Sequence, residues 1–219
     1  IYNGLSAKYH VNDLNTREKD EHGTYIQRRV ARDDFGTNPC SEIILRDGQF
    51  CNLTEVVIRA EDTQKEIMHK VRLATILGTF QASLTNIRRL RPKWVHNTEE
   101  EALLGVSLTG IMDNSFMNGT VDRGHYGKRS LPDFLIDLKK ETVKTNKEWS
   151  GLLGIEQATA TTAIKPSGTV SQLVDSASGI HTRHNDYYLR RMRVGKNEAI
   201  YTYLSIYHPE LVEDEYFSP

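Results

Sequence analysis

Asn38-Pro39-Cys40-Ser41-Glu42-Ile43-Ile44-Leu45-Arg46-Asp47-Gly48-Gln49-Phe50-Cys51-Asn52 is the stretch that decides how the rest of this chain is read. It carries both cysteines of the protein, with a carboxylate, Glu42, two residues after the first. The preceding Asp33–Thr37 has turn chemistry, with Gly36 free to take positive φ and Pro39 holding Asn38 out of the helical region. Ile43-Ile44-Leu45 is a short β-prone run, Arg46-Asp47-Gly48 a turn signal, and Phe50 to Ile58 a second strand. The pattern predicts a loop presenting Cys40 and Glu42, with Cys51 on a neighbouring strand.

Two cysteines exclude a disulfide framework and a four-thiolate zinc site, and their spacing is not CxxC. What remains is a thiol beside a carboxylate on a tight loop with a second thiol in reach, or two ordinary buried thiols.

Asn-Pro-Cys-x-Glu followed by Phe-Cys-Asn-Leu resembles the finger loop of ribonucleotide reductases. The forms NPCSEI and FCNLTEV resemble most the adenosylcobalamin-dependent (class II) monomeric members. That resemblance implies an α/β fold: part of a ten-stranded α/β barrel with the finger loop, here residues 33–52, through its centre. It also implies roles. Cys40 becomes the thiyl radical that removes the ribose 3′ hydrogen, Glu42 is the acid/base at the 3′ hydroxyl, and Asn38 holds the ribose hydroxyls. Cys51 is one of two reducing thiols, and this chain holds no partner for it. The residue types suit the chemistry: a carboxylate takes and returns a proton, and a neutral amide donates and accepts without titrating.

Outward from that loop, the second informative stretch is Thr161-Thr162-Ala163-Ile164-Lys165-Pro166-Ser167-Gly168-Thr169-Val170-Ser171. An apolar β segment, Ala160–Ile164, runs into a small-residue turn, and a helix begins at Val170. Outward-pointing N–H groups, hydroxyls and a helix dipole suit an anion. The GxxxxGK[ST] signature is absent, so this is not a Walker loop. KPSGTVSQL resembles the loop, here 165–172, on which the same reductases bind substrate phosphates, which assigns that task to Pro166, Ser167, Gly168, Thr169, Val170 and Ser171. The passages TEEEALLGVSLTGIMD and GIHTRHNDYYLRR resemble the family too, so the likeness runs through nearly the whole chain.

The remaining segments read as scaffold. Residues 1–32 are polar, running into a short strand near Tyr25–Val30. From Asp62, a candidate N-cap, to Leu90 the pattern is helical, with a broad stripe through Ile67, Val71, Ala74, Leu77 and Gln81 flanked by Leu73, Ile76, Phe80, Leu84 and Ile87. Arg88, Arg89, Arg91 and Lys93 form a basic cluster at its end. Gly105–Asp113 reads as a buried strand ending in a turn, Asn114–Ser130 as a loop, and Pro132 opens a helix to Trp149 with Phe134, Leu135, Leu138 and Val143 inward. Arg190–Val194 alternates like a half-exposed strand, and Asn197–Tyr207 is a Tyr-rich helix. His181 and His184 lack a third ligand and read as hydrogen-bonding residues, so no metal is expected.

A net charge of -1 argues for neither a nucleic-acid nor a membrane partner, and no apolar run approaches the ~20 residues of a membrane span. Sparse cysteines suit a reducing cytoplasm. An apolar fraction of 38% is low for a self-contained domain of this size, and the chain starts at Ile1. Residues 1–219 are therefore read as one fragment, the C-terminal part of the barrel. The resemblance implies adenosylcobalamin, a ribonucleoside triphosphate substrate, a thioredoxin-like reductant, a missing N-terminal half and a deoxynucleotide effector on that missing part. Three alternatives stand beside it: a non-catalytic nucleotide-phosphate-binding module, a class I-type large chain acting on diphosphates, and a redox protein cycling a Cys40–Cys51 disulfide. The enzyme reading needs Cys40 at the tip of an inward loop, Glu42 beside it, and the 166–171 turn facing the same space.

Overall fold

The computed structural model describes residues 22–24, 29, 35–121 and 129–215. The strand expected near 25–30, almost all of the polar 1–32 segment, Asp33, Asp34 and part of the 114–130 loop lie outside the described residues. Two compact units divide the chain, 1–183 and 184–219.

In the first unit, β1 (Phe35–Thr37) and β2 (Ile44–Arg46) pair antiparallel, Phe35 opposite Arg46 and Thr37 opposite Ile44. The 38–43 loop is thus the tip of a hairpin. Gly36 lies in a strand, and the left-handed backbone falls instead on Ser41, φ 63°, and Gly48, φ 73°. The second strand of the expected pair, β3 (Asn52–Val57), does not join this hairpin. It pairs in parallel with β4 (Leu104–Thr109), Asn52 opposite Leu104 and Val57 opposite Thr109. The turn at Asp47-Gly48 re-aims the chain rather than closing a hairpin.

Between β3 and β4 run two helices, α1 (Gln64–Ala82) and α2 (Pro92–Glu101). Thr63, not Asp62, caps α1: it exchanges bonds with Glu66 in a capping box, while Asp62 pairs with Lys70. The helix stops at Ala82, short of Leu90. Its buried stripe is Ile67, Val71, Ala74, Thr75, Gly78, Thr79 and Ala82, whereas Leu73, Leu77 and Phe80 are exposed. Long α3 (Leu131–Leu153) starts at Ser130, whose hydroxyl accepts from Asp133 N, and ends at left-handed Gly154. It buries Phe134 and Leu138 but leaves Leu135 exposed.

The core lies where α1 and α3 cover one face of the β3–β4 sheet: Val56, Ile58, Ile67, Val71, Val106, Leu108, Phe116, Phe134 and Leu138 interlock there. Each such side chain, taken out of water, contributes roughly 1.5–3 kcal/mol. Segment 160–163 runs along the other edge of β4, with Leu104 N donating to Ala160 O and Val106 N to Thr161 O. The strand expected at 160–164 reduces to a single bridge, Val106 to Thr162. The helix after it, α4 (Gly168–Leu173), is short and starts at Gly168 rather than Val170.

In the second unit the strand expected at 190–194 does not form. The segment is held by ion pairs, Arg191–Glu213, Arg193–Glu215 and Lys196–Asp214, without a backbone ladder. Helix α5 (Ala199–Tyr207) follows. Among the described residues, no helix is long and apolar enough to cross a membrane.

Candidate active site

Strand alternation gives the β3–β4 sheet a second face, opposite the helices. Cys51, Leu53 and Glu55 line it from the β3 side, and Gly105, Ser107 and Thr109 from β4. Gly105 is a steric necessity there: a Cβ would stand 2.5 Å from Leu53 Cδ2 and 3.3 Å from Cys51 Sγ. The apolar hollow of about 390 Å³ bounded by Val71, Leu108, Leu138 and Ile164 sits on the helix side and contains none of the expected site residues.

The hairpin tip is tightly organised. Asn38 N donates to Ile43 O, Ser41 N to Asn38 O, and Ile43 N to Asn38 Oδ1. Asn38 Nδ2 donates to Glu42 Oε1 at 2.5 Å. Left-handed Ser41 separates the neighbours on either side of it: Cys40 is exposed, while the Glu42 side chain is only 8% exposed.

Glu42 Oε1 also receives Lys165 Nζ at 2.8 Å. Burial pushes the Glu42 carboxyl up, but Lys165 and Asn38 outweigh it and hold the group below its ordinary value. Lys165 is raised in return by that same carboxylate. Glu42 Oε2 is buried and has no hydrogen-bond partner. The expected loop and the expected phosphate turn therefore meet through one ion pair, on one side of the sheet.

The turn itself is fixed by hydroxyls of β4. Lys165 N donates to Ser107 Oγ, Ser167 Oγ lies 2.8 Å from Thr109 Oγ1, and Gly179 N donates to Thr109 Oγ1. Ser171 is buried and bonds back to Gly168 O, while Pro166, Gly168, Thr169 and Val170 are exposed. Behind the turn Arg183 clamps Asp113 in a two-pronged contact at 2.9 and 3.2 Å and reaches Asp175 at 2.6 Å.

Both cysteines are free thiols. Burial pushes the Cys51 thiol up to about 12, Arg29 and Lys165 pulling it down only in part. It therefore keeps its hydrogen at neutral pH. His181 Nδ1 lies 3.3 Å from Ser178 O, and His184 stands edge-on to Tyr188.

Two groups escaped the sequence reading. Lys165 was read only as the first residue of the 165–172 loop, with no role of its own. Glu55, opposite Ser107, faces the site with Oε1 buried and unpartnered. Burial raises its carboxyl, with the hydroxyls of Ser167 and Thr109 and the charge of Lys165 as partial compensation. The alternation of Cys51, Leu53 and Glu55 was the signal that could have found it.

No protein-family model matches the chain. Curated relatives do match it. An adenosylcobalamin-dependent ribonucleoside-triphosphate reductase of Lactobacillus leichmannii is 30% identical over 197 residues, covering 80% of this chain and 26% of that protein. One from Lactobacillus delbrueckii subsp. bulgaricus is 29% identical over the same length and shares. The chain resembles the adenosylcobalamin-dependent ribonucleotide reductases. A probable reductase of the same name from Dictyostelium discoideum is 28% identical over 198 residues, covering 88% of this chain and 22% of its own length. The solved structure of a B-12 dependent (class II) ribonucleotide reductase superposes with a TM-score of 0.52 at 23% identity, over 77% of this chain and 25% of that one. The fold is thus the α/β fold of that reductase, and the chain spans about a quarter of the length of the reductases it matches.

Proposed function

We propose that this chain supplies the radical-site portion of an enzyme that reduces ribonucleoside triphosphates to 2′-deoxyribonucleoside triphosphates. The observation that carries this reading is the Lys165–Glu42 ion pair, which brings the cysteine loop and the phosphate turn to the same open face. The parallel β3–β4 pair, with helices on one face only, suits part of a ten-stranded barrel whose remainder closes over the site.

In this reading Cys40, as a thiyl radical, takes the 3′ hydrogen of the ribose. Glu42 accepts the 3′ hydroxyl proton on Oε2, the oxygen left without a partner, and Asn38 aligns the sugar. The 2′ hydroxyl leaves as water. Cys51 and a partner thiol beyond this chain supply two hydrogens and end as a disulfide, so one C–O bond is exchanged for one C–H bond. Cys40 then returns the 3′ hydrogen to the sugar, and Glu42 returns its proton to the 3′ oxygen. The raised Cys51 thiol suits a hydrogen donor. Residues 166–171 bind the phosphates.

Adenosylcobalamin, when bound, supplies the homolysis that generates the radical. The exposed Cys40 thiol fits a source docked from outside, and Cys40 is the residue that would meet it. The remaining partners are the N-terminal part of the enzyme, with a nucleotide effector site, and a thioredoxin-like reductant. The exposed apolar face of Leu73, Leu77 and Phe80 is consistent with further polypeptide packing there.

The test is coexpression with the N-terminal remainder and an assay of CTP or ATP reduction with adenosylcobalamin and a dithiol. Cys40→Ala abolishes turnover, Cys51→Ala limits it to a single round, and the 219 residues alone convert no nucleotide. Full activity in Cys40→Ala sinks the assignment. A bare phosphate-binding module would leave both the exposed thiol and the unpartnered carboxylate oxygen without a task.

A further inference from the structure

One lysine on this face stands between two kinds of anion. Lys165 binds Glu42 Oε1 at 2.8 Å and immediately precedes the 166–171 turn proposed above to bind the phosphates. Its side chain is 30% exposed, so the ammonium is partly open to solvent. A lysine stem is flexible and its charge is not tied to one geometry. A polyphosphate seated at the turn carries more charge than a single carboxylate and offers many acceptor oxygens.

We propose that Lys165 is a positioning residue that couples substrate binding to the basicity of Glu42: its ammonium neutralises Glu42 in the empty site and turns to the polyphosphate chain of the nucleotide when one arrives. Glu42 then loses its counter-ion while its side chain stays buried and Oε2 stays without a partner. With the cation gone, desolvation is the main influence left on the carboxylate, and it holds a proton more firmly. A weak base in the empty site becomes a stronger one only when there is a 3′ hydroxyl to deprotonate.

Among the described residues, the charged and titratable groups around this pair are few. Asn38 and Cys40 face it from the hairpin tip, Glu55 from β3, and Cys51 from the residue just before that strand rather than on it as expected. Arg29 acts on Cys51 from farther off. Lys165 is the cation in contact with Glu42, which is why its movement governs that group.

This inference rests on the reductase reading for its purpose, but its test does not need turnover. Inorganic tripolyphosphate is titrated into the 219-residue chain. Backbone amides of 167–171 report binding by NMR, and the side-chain carboxyl carbon of Glu42 reports its protonation against pH. In the wild-type chain Glu42 titrates below the ordinary glutamate range when free, and its midpoint moves upward on saturation. At pH values between the two midpoints, binding takes up a proton. In Lys165→Gln the free midpoint is already raised, tripolyphosphate does not move it, and binding weakens about tenfold through loss of a charge-assisted contact. Lys165→Arg restores the response. If the amides shift while the Glu42 midpoint stays still, the coupling is wrong and the phosphate turn survives. If no amide responds, both fall together. The reductase reading is judged separately by the Cys40→Ala assay.

Discussion

Two glutamates serve the same hairpin and have opposite surroundings. At its base Glu101 is 1% exposed, and both its oxygens are engaged: Arg29 at 2.9 Å, Arg46 at 3.3 Å and Gln49 at 2.7 Å. Arg29 also donates to Ile44 O and Arg46 to Asn97 O, so the network ties both ends of β2 to α2. At the tip Glu42 concentrates its contacts on Oε1 and leaves Oε2 with none. A carboxylate with both oxygens engaged holds structure, and one with an idle buried oxygen keeps an acceptor to spare. In the proposed reading the contrast separates scaffold from chemistry where burial alone does not.

Glu42→Gln and Glu101→Gln are the sharpest way to break that comparison. In the complemented enzyme Glu42→Gln slows turnover by about 100-fold or more, the range for loss of a general base. Its unfolding free energy in urea changes by only about 1 kcal/mol, because one partly exposed cation is all it strands. Glu101→Gln removes the buried carboxylate that Arg29 and Arg46 share and costs about 3–5 kcal/mol in the same unfolding measurement. Equal stability losses in the two variants would erase the distinction. Gly105→Ala comes next, at roughly 1–3 kcal/mol, since its Cβ must displace Leu53 and crowd Cys51. Iodoacetamide at pH 8 then modifies Cys40 at least about tenfold faster than Cys51, as exposure and thiolate fraction require. Comparable rates would mean that β3 does not shelter the second thiol.

The smallest effect is in the pH dependence of stability. Glu42 has a folded pKa below its unfolded one, so its contribution is fully present above the ordinary glutamate range and is lost as pH falls through the depressed value. Glu55 has the opposite sign: its raised value makes ionisation cost stability, relieved as pH falls into its range. Chemical denaturation between pH 3 and 7 should therefore show a shallower acid-side loss in Glu42→Gln than in wild type, and a steeper one in Glu55→Gln.

Much of the site's local chemistry was readable because it is local. Asn38 and Glu42 are close enough in sequence for one turn to join them, and the turn and short helix around Ser167 follow from Pro, Gly and hydroxyl placement, although the strand before them does not form. Helix α2 went unseen because its inward face is Asn97, Thr98 and Glu101, polar residues that hydrophobic periodicity passes over. Leu73, Leu77 and Phe80 misled in the other direction: the period is helical, but the exposed side is as apolar as the buried one. The reach of Lys165 to Glu42 was invisible because it depends on β3 and β4 lying parallel, and nothing near either residue encodes that pairing.

Ser41 has one further consequence. A single residue with inverted backbone handedness, φ 63°, decides that the sulfur looks outward and the carboxylate inward. A β-branched side chain would resist that twist, and glycine would accept it while also admitting its mirror image. Serine sits between them, so the division of the loop into an outward-facing and an inward-facing half is written in the handedness of one peptide unit rather than in any contact the two halves make.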